Sequence, residues 1–126
     1  MIEGVRLTDL KVIEDARGSV RHIMRADSPN FETFGEVYTS TILPGVVKAW
    51  HLHQAMTLNY VCVLGEVVIG LLDLRHKGSA TFQEMDTILL QARGKGYRML
   101  TIPPKVWNGF RIPEDSACEM AMVINC

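Results

Sequence analysis

The chain has 126 residues, of which 48% are hydrophobic and 21% charged, with a formal net charge of −1. That length supports one domain with its own core, expected over residues 1–126, and the composition is that of a globular protein. Near-balanced charge offers no basic field for nucleic acid or a membrane surface, and no apolar run reaches the ~20 residues that span a bilayer.

In chain order, residues 1–10 lack a basic region followed by an apolar one, so no secretory signal is expected and the expected location is cytoplasmic. Short runs rich in β-branched and aromatic residues then alternate with turn residues, which predicts an all-β domain. Strands are predicted at 10–14 and 20–24 around Ala16-Arg17-Gly18. Residues 27–34 have room for one helical turn, limited by Pro29. Strands at 36–42 and 47–52 flank Pro44-Gly45, and strands at 58–64 and 67–74 flank Leu64-Gly65-Glu66. Strands at 86–90, 98–102, 108–112 and 118–124 follow, with turns at Gly94-Lys95-Gly96 and Pro103-Pro104. Strands this short and this evenly spaced predict an antiparallel jelly roll or closed barrel.

Residues two apart on a strand share a face. His51 and His53 therefore point the same way, as do Leu58, Tyr60 and Cys62. On the same reading Met120 and Met122 line the interior, and Glu119 points outward. The three cysteines, Cys62, Cys118 and Cys126, are odd in number, lack CxxC spacing and are read as reduced.

Gly45, five residues, then His51-Leu52-His53 resembles the opening of the cupin metal-binding signature. Gly65 keeps its place in that signature, but the glutamate position is Leu58 and the final histidine position is Asn108. Two imidazoles alone rarely hold a divalent ion, so no metal and no cofactor are expected. A metal-dependent cupin with other ligands is an alternative that elemental analysis would test. A metal-free histidine, with an unperturbed pKa near ~6.5, suits a general base. His51 is the candidate, flanked by Lys48. Trp50 and Trp107 are either stacking surfaces for a base or sugar ring or packing residues. Lys48 and Lys105 are either phosphate contacts or solvated rim charges. Asn59 and Asn108 are placed to meet sugar hydroxyls. His22 and His76 are read as exposed and without a role.

Asp15-Ala16-Arg17-Gly18, the segment from Gly45 to His51, and Gly65-Glu66-Val67 recur in a known order and spacing. So do Leu72-Asp73-Leu74-Arg75 with Ser79-Ala80-Thr81-Phe82, and Ile102-Pro103 with Gly109-Phe110. From about residue 15 to 110 the chain thereby resembles the dTDP-4-dehydrorhamnose 3,5-epimerase family. The resemblance implies an all-β, cupin-type jelly-roll β-barrel that works without metal as a homodimer. It implies removal and return of protons beside the ketone of a nucleotide-linked sugar, with His51 as base. Lys48 then stands for the family's substrate-holding arginine. Arg17 would reach the nucleotide in the partner subunit's site, which makes the dimer strand-exchanged. His53, Tyr60, Asn108 and Trp50 complete the expected substrate contacts, and Tyr60 is the candidate for returning a proton. Leu58 occupies the position of the family's enolate-stabilising lysine, and Asn108 that of its second pocket histidine. The proton-delivering tyrosine falls near Met120, and the aspartate that orients the base falls beyond Cys126. The alternative is a non-catalytic sugar- or nucleotide-binding cupin descended from such an enzyme.

Overall fold

Alternating side chains along each strand leave one apolar face per sheet, and two such sheets close on each other. A computed structural model describes Met1–Cys126. Its strands are β1 (Arg6–Asp9), β2 (Val12–Asp15), β3 (Gly18–Arg21), β4 (Tyr38–Ile42), β5 (Val47–His51) and β6 (Leu58–Leu64). They continue with β7 (Glu66–Asp73), β8 (Met85–Gln91), β9 (Arg98–Ile102), β10 (Val106–Arg111) and β11 (Ala121–Asn125). One antiparallel sheet has five strands in the order β1-β9-β6-β11-β4, and the other has four in the order β5-β10-β7-β8. The pair β2-β3 stands apart as a two-stranded hairpin. This is the all-β, antiparallel jelly roll that the sequence predicts.

The core lies between the sheets. Leu58, Tyr60 and Cys62 of β6 meet Val67, Ile69 and Leu71 of β7, with Leu100, Ile102, Val106 and Phe110 around them. Burying each such aliphatic side chain contributes roughly 1.5–3 kcal/mol against leaving it in water. The turn from β6 to β7 requires glycine at Gly65, whose φ is 69° and whose Cβ would lie 2.8 Å from the Met120 carbonyl oxygen. At the far end of β7, Asp73 is fully buried and accepts hydrogen bonds from Arg75 Nε (2.9 Å) and Nη2 (2.8 Å). The Thr81 hydroxyl also donates to Asp73 (2.5 Å), so this cluster ties the loop after β7 to the sheet. The Arg75 guanidinium holds the Asp73 carboxyl well below the usual carboxylate range.

Three expectations change. The first strand, β1, forms where none was predicted: its short run pairs with β9, Arg6 opposite Thr101 through Asp9 opposite Arg98. Residues 25–31 fold as two successive turns, Ser28 N–H to the Arg25 carbonyl and Phe31 N–H to that of Ser28, and not as a helix. On β11 the inward residues are Ala121, Val123 and Asn125, while Met120 is exposed and Met122 faces outward, half-buried. Both faces of 120–124 are apolar, and Glu119, which set the other face outward by parity, lies before the strand begins at Ala121. Ala121 and Val123 are buried between the sheets, and pairing with β6 shifts register at Met122/Val123.

Candidate active site at the open edge

Strand β5 is an edge strand, paired only with β10. Asn108 lies opposite His51, and Phe110 lies opposite Lys48. Between those two pairs β5 places Ala49 and Trp50 against Gly109 alone, which is a β-bulge. The bulge cancels one step of the two-residue alternation. Lys48 and His51, three apart, therefore line the same cavity. Gly109 makes this possible: a Cβ there would fall 2.6 Å from Ala49 Cβ. Trp50 turns to the other side of the sheet, where its ring covers Gly70, and it remains half exposed.

The cavity measures about 460 Å³, within the range of small-molecule sites. Lys48, Ala49 and His51 of β5 form one wall with His53, while Tyr38 and Ser40 of β4 form the facing one. Tyr60, Phe110, Val123 and Asn125 make the floor. Lys48 Nζ donates to Ser40 Oγ (3.2 Å) and to the Thr41 carbonyl (2.6 Å), joining the edges of the two sheets. The rings of His51 and His53 make no hydrogen bond to any protein group, so both are free to meet a ligand. The His53 backbone is fixed by the Lys105 N–H on its carbonyl (2.8 Å). No carboxylate accompanies the two imidazoles in the cavity, and no cluster of three or more His, Cys, Asp or Glu suited to a metal occurs in the chain.

Tyr60 is almost wholly buried and packs edge-on against Phe110, ring centroids 6.2 Å apart. Its hydroxyl donates to Asn108 Oδ1 (3.4 Å). Burial, with the neighbouring Tyr38 hydroxyl, pushes its pKa up to about 12. Asn108 is fully buried behind Tyr60 and donates from Nδ2 to the His51 carbonyl (3.3 Å). Asn108 thus braces the cavity wall from behind.

Of the residues singled out in the sequence, Lys48, His51, His53 and Tyr60 come together. Asn108 supports them from the core, and neither Trp50 nor Arg17 lines the cavity. Arg17 caps the β2-β3 hairpin with its side chain 91% exposed, ion-paired to Asp15 at 2.7 Å. The same hairpin exposes Val12, Ile13 and Val20. Leu58 is a core residue. Sequence reasoning missed Tyr38. Its signal was available in the alternation Tyr38-Ser40-Ile42, once the buried Ile42 fixes which face turns inward. A neighbouring cleft of about 650 Å³ lies under residues 30–37 and shares Asn125 with the cavity.

The family model described as dTDP-4-dehydrorhamnose 3,5-epimerase matches residues 1–125. The chain is 33% identical, over 126 residues, to a probable low-salt glycan biosynthesis epimerase of Haloferax volcanii, covering 98% of this chain and 77% of that protein. It is 34% identical, over 113 residues, to a spore coat polysaccharide biosynthesis protein of Bacillus subtilis, covering 89% of this chain and 72% of that one. A dTDP sugar isomerase from Desulfovibrio desulfuricans superposes with a TM-score of 0.91 at 39% identity, covering 99% of this chain and 76% of that one. A 3,5-epimerase from Legionella pneumophila, solved with dTDP-4-keto-L-rhamnose, shares the fold with a TM-score of 0.80 at 22% identity, covering 98% and 66%.

Proposed function

This chain belongs to the dTDP-4-dehydrorhamnose 3,5-epimerase family of sugar epimerases and isomerases, and from that premise we propose how its own residues act. The substrate is a nucleotide-linked 4-keto sugar, and His51 is the base that takes a proton from the carbon beside the ketone. One observation carries the assignment: the bulge at Gly109 turns His51 and Lys48 into one cavity, and the His51 ring is free of protein partners there. A ring nitrogen takes the proton, the C–H electron pair becomes the enolate double bond, and the ketone oxygen takes up the charge. Return of a proton to the carbon completes the exchange, and return to the opposite face inverts it. Lys48 and His53 meet the substrate's polar groups at the mouth, and Tyr60 forms the floor beneath the ring.

The working unit is a homodimer. The exposed apolar side chains of the β2-β3 hairpin support its docking on a second copy, which would deliver Arg17 to the partner's nucleotide. Relatives named for glycan and polysaccharide biosynthesis favour a cytoplasmic setting. No helix is long and apolar enough to cross a membrane.

The test is hydrogen exchange. In deuterated buffer, a dTDP-linked 4-keto-6-deoxy sugar should gain deuterium beside its ketone with wild-type protein. With His51→Ala the rate should fall by about 10²–10⁴-fold. Binding of the sugar without any exchange above background would overturn the reading.

A further inference from the structure

An enolate needs a donor aimed at the oxygen where charge develops, and such a donor is worth about 10²–10³ in rate. Lys48, the cavity's cation, has two of its three donors on Ser40 and the Thr41 carbonyl, which leaves one for the substrate's polar groups at the mouth. The Tyr60 proton is committed to Asn108. Tyr38 differs from both. Its oxygen accepts a hydrogen bond from Asn125 Nδ2 (3.2 Å), and its own O–H has no acceptor in the protein.

The direction of that bond is fixed by the main chain. Asn125 Oδ1 accepts the backbone N–H of Asn59 at 2.8 Å, and a backbone N–H can only donate. The other end of the Asn125 amide must therefore be its NH₂, which faces Tyr38, with Met56 Sδ at 3.9 Å as a second neighbour. Asn59 is held in turn: its Oδ1 accepts from the Thr101 hydroxyl (2.8 Å), and its Nδ2 donates to the Cys126 carbonyl (3.0 Å). Asn30 Nδ2 donates to Thr101 Oγ1 (2.6 Å) and extends the chain further. Asn30, Asn59, Thr101 and Asn125 are all buried. A fully satisfied buried network of this kind is rigid and holds one polarity.

We infer that Tyr38 donates its hydroxyl proton as a hydrogen bond to the substrate's ketone oxygen, and that Asn125 is the positioning residue that keeps this proton directed into the cavity. The inference rests on the His51 reading and adds its electrophilic half. As the C–H bond breaks and the proton passes to His51, the electron pair shifts through carbon onto the ketone oxygen. Tyr38 and the Asn125 amide behind it stabilise that charge. No oxidant or further reactant is consumed.

The experiment follows exchange into a dTDP-linked 4-keto-6-deoxy sugar in deuterated buffer for wild type, His51→Ala, Tyr38→Phe, Asn125→Asp and the Tyr38→Phe/Asn125→Asp double variant. Tyr38→Phe keeps the ring and should lower the exchange rate by about 10²–10³-fold while KM changes only a few-fold. In Asn125→Asp one carboxylate oxygen still accepts the Asn59 N–H, while the other can only accept from Tyr38. The phenol proton is thereby pulled out of the cavity, and exchange should fall comparably. The double variant should be no slower than Tyr38→Phe alone, because Asn125 acts through Tyr38; damage to packing would add instead. Tyr38→Phe exchanging within about threefold of wild type, with His51→Ala inactive, would overturn this inference and leave the base assignment standing. A strictly additive double variant would remove the positioning role. Wild-type exchange that survives His51→Ala would remove the reading on which both rest.

Discussion

Asn108 Nδ2 donates to the main-chain carbonyl of His51 at 3.3 Å, directly across the β5-β10 ladder. The residue at the last ligand position of a cupin signature therefore grips the backbone of the proposed base. Its Oδ1 accepts from Tyr60, so one buried amide links the wall and floor of the cavity.

Asn108→Ala removes both bonds, so the Tyr60 hydroxyl and the His51 carbonyl lose the amide that sits fully buried behind them. Loss of stability should be about 2–4 kcal/mol, measured by urea unfolding at equilibrium. A loss below ~1 kcal/mol would mean that water replaces the amide.

Gly109→Ala places a methyl where Ala49 Cβ already sits, 2.6 Å away. The two strands must separate at the bulge, at a cost of about 1–3 kcal/mol. Because the bulge sets Lys48 and His51 on one side, deuterium exchange into the sugar should fall more than stability does. The same substitution at Gly35, where a Cβ meets nothing within 4 Å, serves as the control.

The Asp73–Arg75 pair predicts a pH dependence of stability. Arg75 depresses the folded-state pKa of Asp73, so its contribution is complete above the unfolded-state value near ~4. It is lost as pH falls below that value toward the folded one. Wild-type melting temperature should therefore decline more steeply between pH 5 and about 2.5 than that of Asp73→Asn. At pH 7 the variant should be less stable by about 1–3 kcal/mol, because the partly exposed Arg75 guanidinium loses its charged partner at the fully buried position 73. Parallel pH profiles for the two proteins would refute this account.

The hairpin carries the dimer prediction. Val20→Asp places a charge on an apolar side chain exposed at 60% in the single chain. It should shift sedimentation toward the monomer and leave the circular dichroism spectrum unchanged. Arg17→Ala should preserve assembly while weakening binding of the dTDP-linked sugar by about 1.5–3 kcal/mol, the range for a charge-assisted hydrogen bond. A wild-type chain that sediments as a monomer would remove this part of the proposal.

Short runs rich in β-branched and aromatic residues that stop at a glycine or proline, such as those ending at Gly65 and Pro103, were legible in the sequence. The strands at 58–64 and 98–102 form with the predicted boundaries. The strand Arg6–Asp9 was not legible, because four residues of mixed polarity carry no period and form a strand only through pairing with β9. The inward face of β11 was misassigned because methionine on one face and alanine with valine on the other are both apolar. At the cavity, His51 and His53 could be placed together by alternation, but Lys48 could not. Period two sets Lys48 against His51, and only the bulge opposite Gly109 reconciles them. Tyr38 escaped notice because a lone tyrosine on a short strand looks the same in sequence whether its hydroxyl meets solvent, a neighbour or a substrate.

The polarity of the Tyr38–Asn125 pair originates in a peptide group, the N–H of Asn59. Side chains can be exchanged one at a time, but an amide proton of the main chain survives every replacement except proline. A lineage of this fold is free to vary the acid at position 38 or the linker at position 125. The instruction about which way the proton points belongs to the architecture, and it would be inherited by whatever chemistry the cup is given next.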